Sequence, residues 1–154
     1  MLAARFVTDA SLAFLAHRLV FLGYDVATVS GARIEELFEA GRREGRTVLT
    51  LSARHPRRFA DVPAIIVPRG DAARAVRAIA SAYEPAGAPF SRCAPCNQAL
   101  HARHPMEARG EVPGRVLRSA TVLRYCPMCG KWYWEGSHVA RLRIWLERAL
   151  GRAL

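Results

Sequence analysis

Cys126-Pro127-Met128-Cys129-Gly130 is the stretch that decides how this chain folds, and its counterpart is Cys93-Ala94-Pro95-Cys96-Asn97. The two Cys-x-x-Cys pairs contain all 4 cysteines of the chain. Two such pairs predict one tetrahedral site in which Cys93, Cys96, Cys126 and Cys129 hold a structural zinc ion. In a segment too small for a large apolar core, metal binding then supplies the free energy of folding. The residue after the second cysteine of each pair must accept a left-handed backbone so that amides can point at sulfur. Gly130 does so freely, and Asn97 belongs to the few other residue types that tolerate it. Residues 97–125 separate the pairs, a long insertion whose closure is inexpensive, since each doubling of a loop costs only about 0.6 kcal/mol.

Other uses of the cysteines fit less well. Two disulfides imply an oxidising compartment, but no charged start followed by an apolar stretch and a cleavage site opens the chain, and Met1–Arg5 leads straight into a strand-like run. A thioredoxin-like dithiol needs one pair at a helix start, not two pairs flanked by Pro and Gly. Iron suits the same four-sulfur cage, and spacing does not separate it from zinc.

The chain has 154 residues and a formal charge of +10. That length suits one domain with a small metal-stapled appendix. No stretch approaches the roughly 18 apolar residues of a membrane span, so a soluble, cytoplasmic protein without a membrane partner is expected. Lys131 is the only lysine; residues 1–90 hold 12 arginines against 9 acids, and residues 91–154 hold 10 arginines and Lys131 against 4. The excess is therefore +3 on the first part and +7 on the second, or +5 there once four thiolates and a divalent ion are counted. Arginine's planar fork matches phosphate, so RNA is the expected partner, although basic residues also accumulate on solvated helix faces.

The first 90 residues alternate in period. Arg5–Thr8 is a short apolar strand; Ser11–Leu22 carries Leu12, Leu15, Leu19 and Leu22 on one helical stripe that ends at Gly23. Val26–Val29 and Thr47–Leu51 are strands around a helix at Ile34–Glu44, with Leu37 and Phe38 inward and Gly45 as its stop. Ala64–Val67 is a further strand, and Asp71 caps a helix carrying Val76, Ile79 and Tyr83. This β-α-β-α-β-β-α order predicts an α/β fold: a mostly parallel sheet with helices on both faces and ligands outside the carboxyl ends of the strands. Asp9 and Ser52 then share one rim.

Further motifs carry a family resemblance. Asp9, Leu12, Leu15-Ala16, Gly23-Tyr24-Asp25, Glu36-Leu37, Arg46 and Leu49-Thr50 resemble the Mut7-C ribonuclease domain, which has a PIN-like fold. The tail is more similar still: Ser91-Arg92-Cys93-x-x-Cys96-Asn97-x-x-Leu100, Val112-Pro113 and Cys126-Pro127-x-Cys129-Gly130-x-x-Tyr133-Trp134-x-Gly136-Ser137-His138 resemble that family's zinc-ribbon signature. The resemblance implies a PIN-like domain at 1–88, a zinc ribbon with a terminal helix at 89–154, and RNA cleavage by an acidic cluster that binds Mg2+ or Mn2+. On this chain only Asp9 and the Glu35/Glu36 pair match expected acid positions, with Asp9 and Glu36 as the ligands the resemblance implies for the divalent ion.

Several positions depart from the family pattern. The third strand usually ends Leu-Thr-Arg-Asp, whereas Leu49-Thr50-Leu51-Ser52 puts serine in place of one expected carboxylate. Arg33 and Ile34 replace an acidic pair before the second helix, and Ala10, Phe14 and Val20 stand where charge is usual. A catalytically inactive RNA- or ribonucleoprotein-binding adaptor is therefore the alternative function. Asp61 is a candidate to approach the rim from a loop.

The remaining candidates each have a plain structural role beside the functional one. Asp9 can cap the following helix; Glu35 and Glu36 complement a helix dipole; Asp25 supports a turn after Gly23. Trp132 and Trp134 share one face of a strand, where they dock the ribbon against the first domain or last helix, or stack on bases. Arg92, Lys131, Trp134 and His138 are the candidate RNA contacts. Ser137 is read as the cap of the last helix, and His101 and His104 as solvent or phosphate contacts. Val139–Leu150 has Leu142, Trp145, Leu146 and Ala149 on one stripe, predicting a core-facing helix with a basic outer face.

Overall fold

The computed structural model describes residues 3–31 and 33–154; Met1 and Leu2, part of the run read as leading into the first strand, lie outside them. Four parallel strands, β1 (Arg5–Asp9), β2 (Asp25–Val29), β3 (Thr47–Thr50) and β4 (Ala64–Ile66), form a sheet in the order β2-β1-β3-β4. Helices α1 (Ala13–Phe21), α2 (Ile34–Glu44) and α3 (Ala72–Ala82) complete the predicted alternation. Asp9 pairs with Val29, and Thr50 with Ile66, so these strand ends lie at the same edge.

Alternation along β1 and β3 decides which helix goes where. Phe6 and Leu49 face a core with Leu15, Leu19, Val76 and Ile79 of α1 and α3, while Val7 and Val48 face Leu37 and Phe38 of α2. The sheet is thus covered on both faces, as a parallel sheet requires. The stripe read as a helix from Ser11 is divided: Ala10–Leu12 form one 3-10 turn before α1, because Asp9 caps the chain there by accepting from the Ser11 N–H.

After α3 the chain returns across the end of α1. Gly87 N–H donates to the Gly23 carbonyl at 3.1 Å, and a Cβ at Gly23 would lie 2.1 Å from the Gly87 oxygen, while the Gly23 backbone has φ +94°. Only glycine fits both constraints. Beyond this linker, β5 (His101–Arg103), β6 (Leu123–Tyr125) and β7 (Trp132–Tyr133) make an antiparallel three-stranded ribbon. Its insertion carries α4 (Gly114–Ser119) and a small core of Ala108, Val112, Val116 and Leu123.

Trp132 and Trp134 pack on that small core, not on the first domain or the last helix. The insertion has its own apolar centre, and the indoles complete it. Helix α5 (Ser137–Leu150) instead returns to the α/β layer, where Leu142, Leu146 and Ala149 join the core of α1 and α3. Its N-cap is Gly136, so Ser137 is the first helical residue and not the cap.

Candidate functional site

The four cysteine sulfurs lie within 4.8 Å of one another, with Cys93 Sγ 3.7 Å from Cys129 Sγ. Tetrahedral zinc with bonds of about 2.3 Å places its sulfurs about 3.8 Å apart, so the donor set fits the ion. The two knuckles have matching backbone geometry. Asn97 has φ +57° and Gly130 φ +72°; their N–H groups donate to the carbonyls of Cys93 and Cys126, both at 2.8 Å. Cys93 N–H donates to the Gln98 carbonyl at 2.8 Å, and Cys126 N–H to that of Lys131 at 2.9 Å. The left-handed residues predicted from sequence close both turns.

Electrostatics point the same way. As bare thiols the cluster is in conflict: hydrogen bonding with Cys129, then burial, pushes Cys96 up to about 12, while the Lys131 backbone N–H draws Cys129 down to about 7. A cation removes the conflict by taking all four as thiolates. The four cysteines therefore form a group able to hold a metal ion such as zinc. The Tyr133 hydroxyl is 3.1 Å from Cys93 Sγ, and burial followed by that sulfur raises the Tyr133 pKa, keeping the phenol protonated and able to donate.

The first knuckle is bound to the sheet by a network that sequence reading missed. Asp25, taken as a turn support, lies at the amino end of β2 with Arg46 Nη1 2.6 Å and Asn97 Nδ2 2.6 Å from its Oδ1. Arg5 and Arg92 reach its other oxygen at 3.4 and 3.8 Å. Burial alone would raise its pKa, but hydrogen bonds from Arg46 and Asn97 and the charges of Arg46 and Arg92 outweigh burial and hold it below the usual carboxylate range. Arg92 also donates from Nε to Asn97 Oδ1 at 3.2 Å and from Nη2 to the Asn97 carbonyl at 2.6 Å. This side chain, a candidate RNA contact, is committed to holding the knuckle.

The other candidates are more open. Lys131 and His138 are exposed, and both act with Arg18 on His17, whose pKa burial lowers first and these charges lower further. The structure thus brings Lys131 and His138 to one side, facing α1. Trp134 is partly exposed beside Gly136. His104 is a cap, with Nδ1 accepting from Met106 N–H.

Acids at the carboxyl edge are sparse. Asp9 Oδ1 accepts from Ser11 N–H at 2.9 Å and from its hydroxyl at 2.5 Å. The Glu36 carboxylate lies against Gly31, where an added Cβ would be 2.0 Å from Oε2, and Arg33 Nε is 3.9 Å from Oε1. Gly31 follows two residues after Val29, the partner of Asp9, which brings Glu36 to the same edge. Asp61 does not reach it: the residue precedes β4 and pairs with Arg42 at 2.5 Å, at the opposite end of the sheet. Among the described residues no three acids converge as the cysteines do.

Comparison with known families resolves what this combination is: the Mut7-C RNAse domain matches residues 4–146. The chain belongs to the Mut7-C RNAse domain family. No curated protein and no solved structure matches it. The Mut7-C match spans both the parallel sheet and the ribbon, so the two lobes form one family unit. Membership implies a ribonuclease-like function and RNA as the kind of substrate. No helix among the described residues is long and apolar enough to cross a membrane.

Proposed function

We propose that this Mut7-C protein cleaves RNA phosphodiesters at the carboxyl edge of its sheet, with Asp9 and Glu36 as ligands for one Mg2+ or Mn2+. The observation that carries this reading is Asp9 itself, at the end of the central strand β1, in a family of ribonucleases. Its Oδ1 is fixed by Ser11, while Oδ2 has no protein partner among the described residues. A capped carboxylate is a preorganised ligand, because the cap removes the rotation that binding would otherwise have to freeze.

The donor set fits one ion better than two. Magnesium keeps several waters and binds through one or two carboxylates plus substrate phosphate, whereas a two-ion site needs more acids to offset the charge. When bound, the ion polarises the phosphate and lowers the pKa of a water. Asp9 and Glu36 orient it, and the arginines of the same edge draw the polyanion toward it.

Incubation of the zinc-loaded protein with Mn2+ and labelled single-stranded RNA tests the proposal. Cleavage that is lost in Asp9→Asn supports it; arginine-dependent binding without cleavage replaces it with an RNA-binding adaptor. That second reading starts from Ser52, a serine where the resemblance implies a carboxylate. The Ser52 Oγ accepts the Arg54 N–H at 3.1 Å, a turn that aspartate also makes, so Ser52→Asp should fold normally and raise Mn2+ affinity.

A further inference from the structure

The carboxyl edge lacks converging acids, and arginines occupy it instead. A groove of about 810 Å³ runs between the start of α2 and the segment that follows β3, lined by Arg33, Glu35, Arg54, His55, Arg57 and Arg58. Four guanidinium groups face a single carboxylate in it, and that carboxylate, Glu35, is taken by Arg54 at 2.7 Å. Arg57 makes no ion pair among the described residues, and Arg33 has only the long contact to Glu36. Such an excess of one sign in one groove attracts an anion, and the start of α2, which has no side-chain cap, adds the positive end of its dipole on the same side.

The groove is also built on rigid supports. Pro56, between Arg54 and Arg57, and Phe59, directly after Arg58, are buried. The His55 ring lies 4.6 Å from the Phe38 ring, and its Nε2 is 2.8 Å from the Phe59 carbonyl. Ser52 N–H donates to Thr50 Oγ1 at 3.0 Å and Ser52 Oγ accepts from Arg54, so the turn out of β3 is fixed at both ends. The guanidinium groups of Arg54, Arg57 and Arg58 therefore project from a segment pinned to the α2 core, opposite Arg33 at the start of α2, which reduces the entropy lost when they clamp a ligand.

We infer that Arg33, Arg54, Arg57 and Arg58 form a phosphate-binding groove that holds consecutive phosphates of single-stranded RNA without a metal ion. The inference rests on the proposed RNA substrate and supplies what the depleted acidic edge does not: direct attraction for the backbone. Guanidinium forks bind phosphate oxygens in pairs, and an open groove lets the chain continue at both ends, as a polymer requires and a free phosphate does not.

The test is a salt titration of Kd for fluorescein-labelled oligouridine of about ten nucleotides, using the zinc-loaded protein in EDTA-free buffer without Mg2+ or Mn2+. Each phosphate contact to a single strand contributes about 0.7 to the slope of log Kd against log salt. Arg54→Ala and Arg57→Ala should each flatten the slope by about 0.7, and the double variant by about 1.4. Arg57→Lys should keep the slope, and Arg141→Ala on α5 should change nothing. Circular dichroism and zinc content verify that the variants fold. Wild-type slope in the double variant overturns the inference, as does binding of pyrophosphate in the groove with no RNA binding. Absent cleavage with arginine-dependent binding removes the nuclease proposal and leaves the groove standing; cleavage with arginine-independent binding does the reverse.

Discussion

Asn97 Nδ2 donates to Asp25 Oδ1 at 2.6 Å, joining the first metal knuckle to the edge strand of the parallel sheet. The same amide accepts on its oxygen from Val26 N–H at 3.0 Å and from Arg92 Nε. The orientation is unambiguous, because a carboxylate only accepts and an N–H only donates. Asn97 closes the knuckle through its backbone and covers an open strand edge through its side chain. The cysteine cluster is thereby coupled to the parallel sheet.

Two substitutions separate those roles. Asn97→Gly keeps the left-handed backbone and loses the side-chain bonds, at a cost of about 2 kcal/mol. Asn97→Ala should cost about 1 kcal/mol more, since alanine resists φ +57°. Urea denaturation measures both, and Asp25→Asn in the same protein should show coupling with Asn97→Gly of about 1 kcal/mol.

Asp25 predicts an acid limb of known sign. Its folded pKa is depressed, so the stability it contributes is complete above the ordinary carboxylate value of about 4 and is lost as pH falls through the depressed value. The difference in unfolding free energy between wild type and Asp25→Asn, both zinc-loaded, should therefore be constant near neutrality and shrink below about pH 4. A difference that grows on acidification would reverse the assignment.

The metal site predicts one zinc per chain by elemental analysis, and a colourless protein. Removing the Tyr133 hydroxyl takes away the 3.1 Å contact to Cys93 Sγ without touching a ligand. Tyr133→Phe should lower zinc affinity about tenfold in a chelator competition. Cys93→Ser should lose stoichiometric zinc altogether, and through Asn97 it should lower the melting temperature of the whole chain.

Helix α5 is part of the first core. Leu146 is fully buried there, so Leu146→Ala should cost about 3 kcal/mol. The loss should appear equally in a probe of the α/β layer, such as amide exchange in β3, and zinc stoichiometry should stay at one. A change confined to the ribbon would contradict the packing.

Much of the fold was legible because its signals are local. Apolar spacing at Leu15 and Leu19 marks α1, and left-handed tolerance at Asn97 and Gly130 marks both knuckles, each within a few residues of sequence. Asp25 was misread for the opposite reason. Its partners Arg46 and Asn97 lie far along the chain, and nothing near Gly23-Tyr24-Asp25 distinguishes an ion-pair hub from a turn. Ser137 likewise has the right chemistry for a cap, yet the helix starts one residue earlier than that role requires.

At the edge of the sheet, Arg54-His55-Pro56-Arg57-Arg58 carries three arginines within five residues, a run the sequence reading passed over, and its facing partner Arg33 belongs to another element. The serine at 52 is legible from its position alone, whereas the guanidinium groups near it come from two elements that only folding brings together.

The order of residues by itself determined the four-sulfur cage, the alternating layer and the Mut7-C resemblance, because each depends on spacing within a turn, a strand or a helix. Only the tertiary structure decided that α5 belongs to the first core, that Arg92 serves the knuckle, and that arginines converge where carboxylates do not. Those outcomes depend on which distant surfaces meet, and burial and charge pairing act between surfaces whatever their separation along the chain.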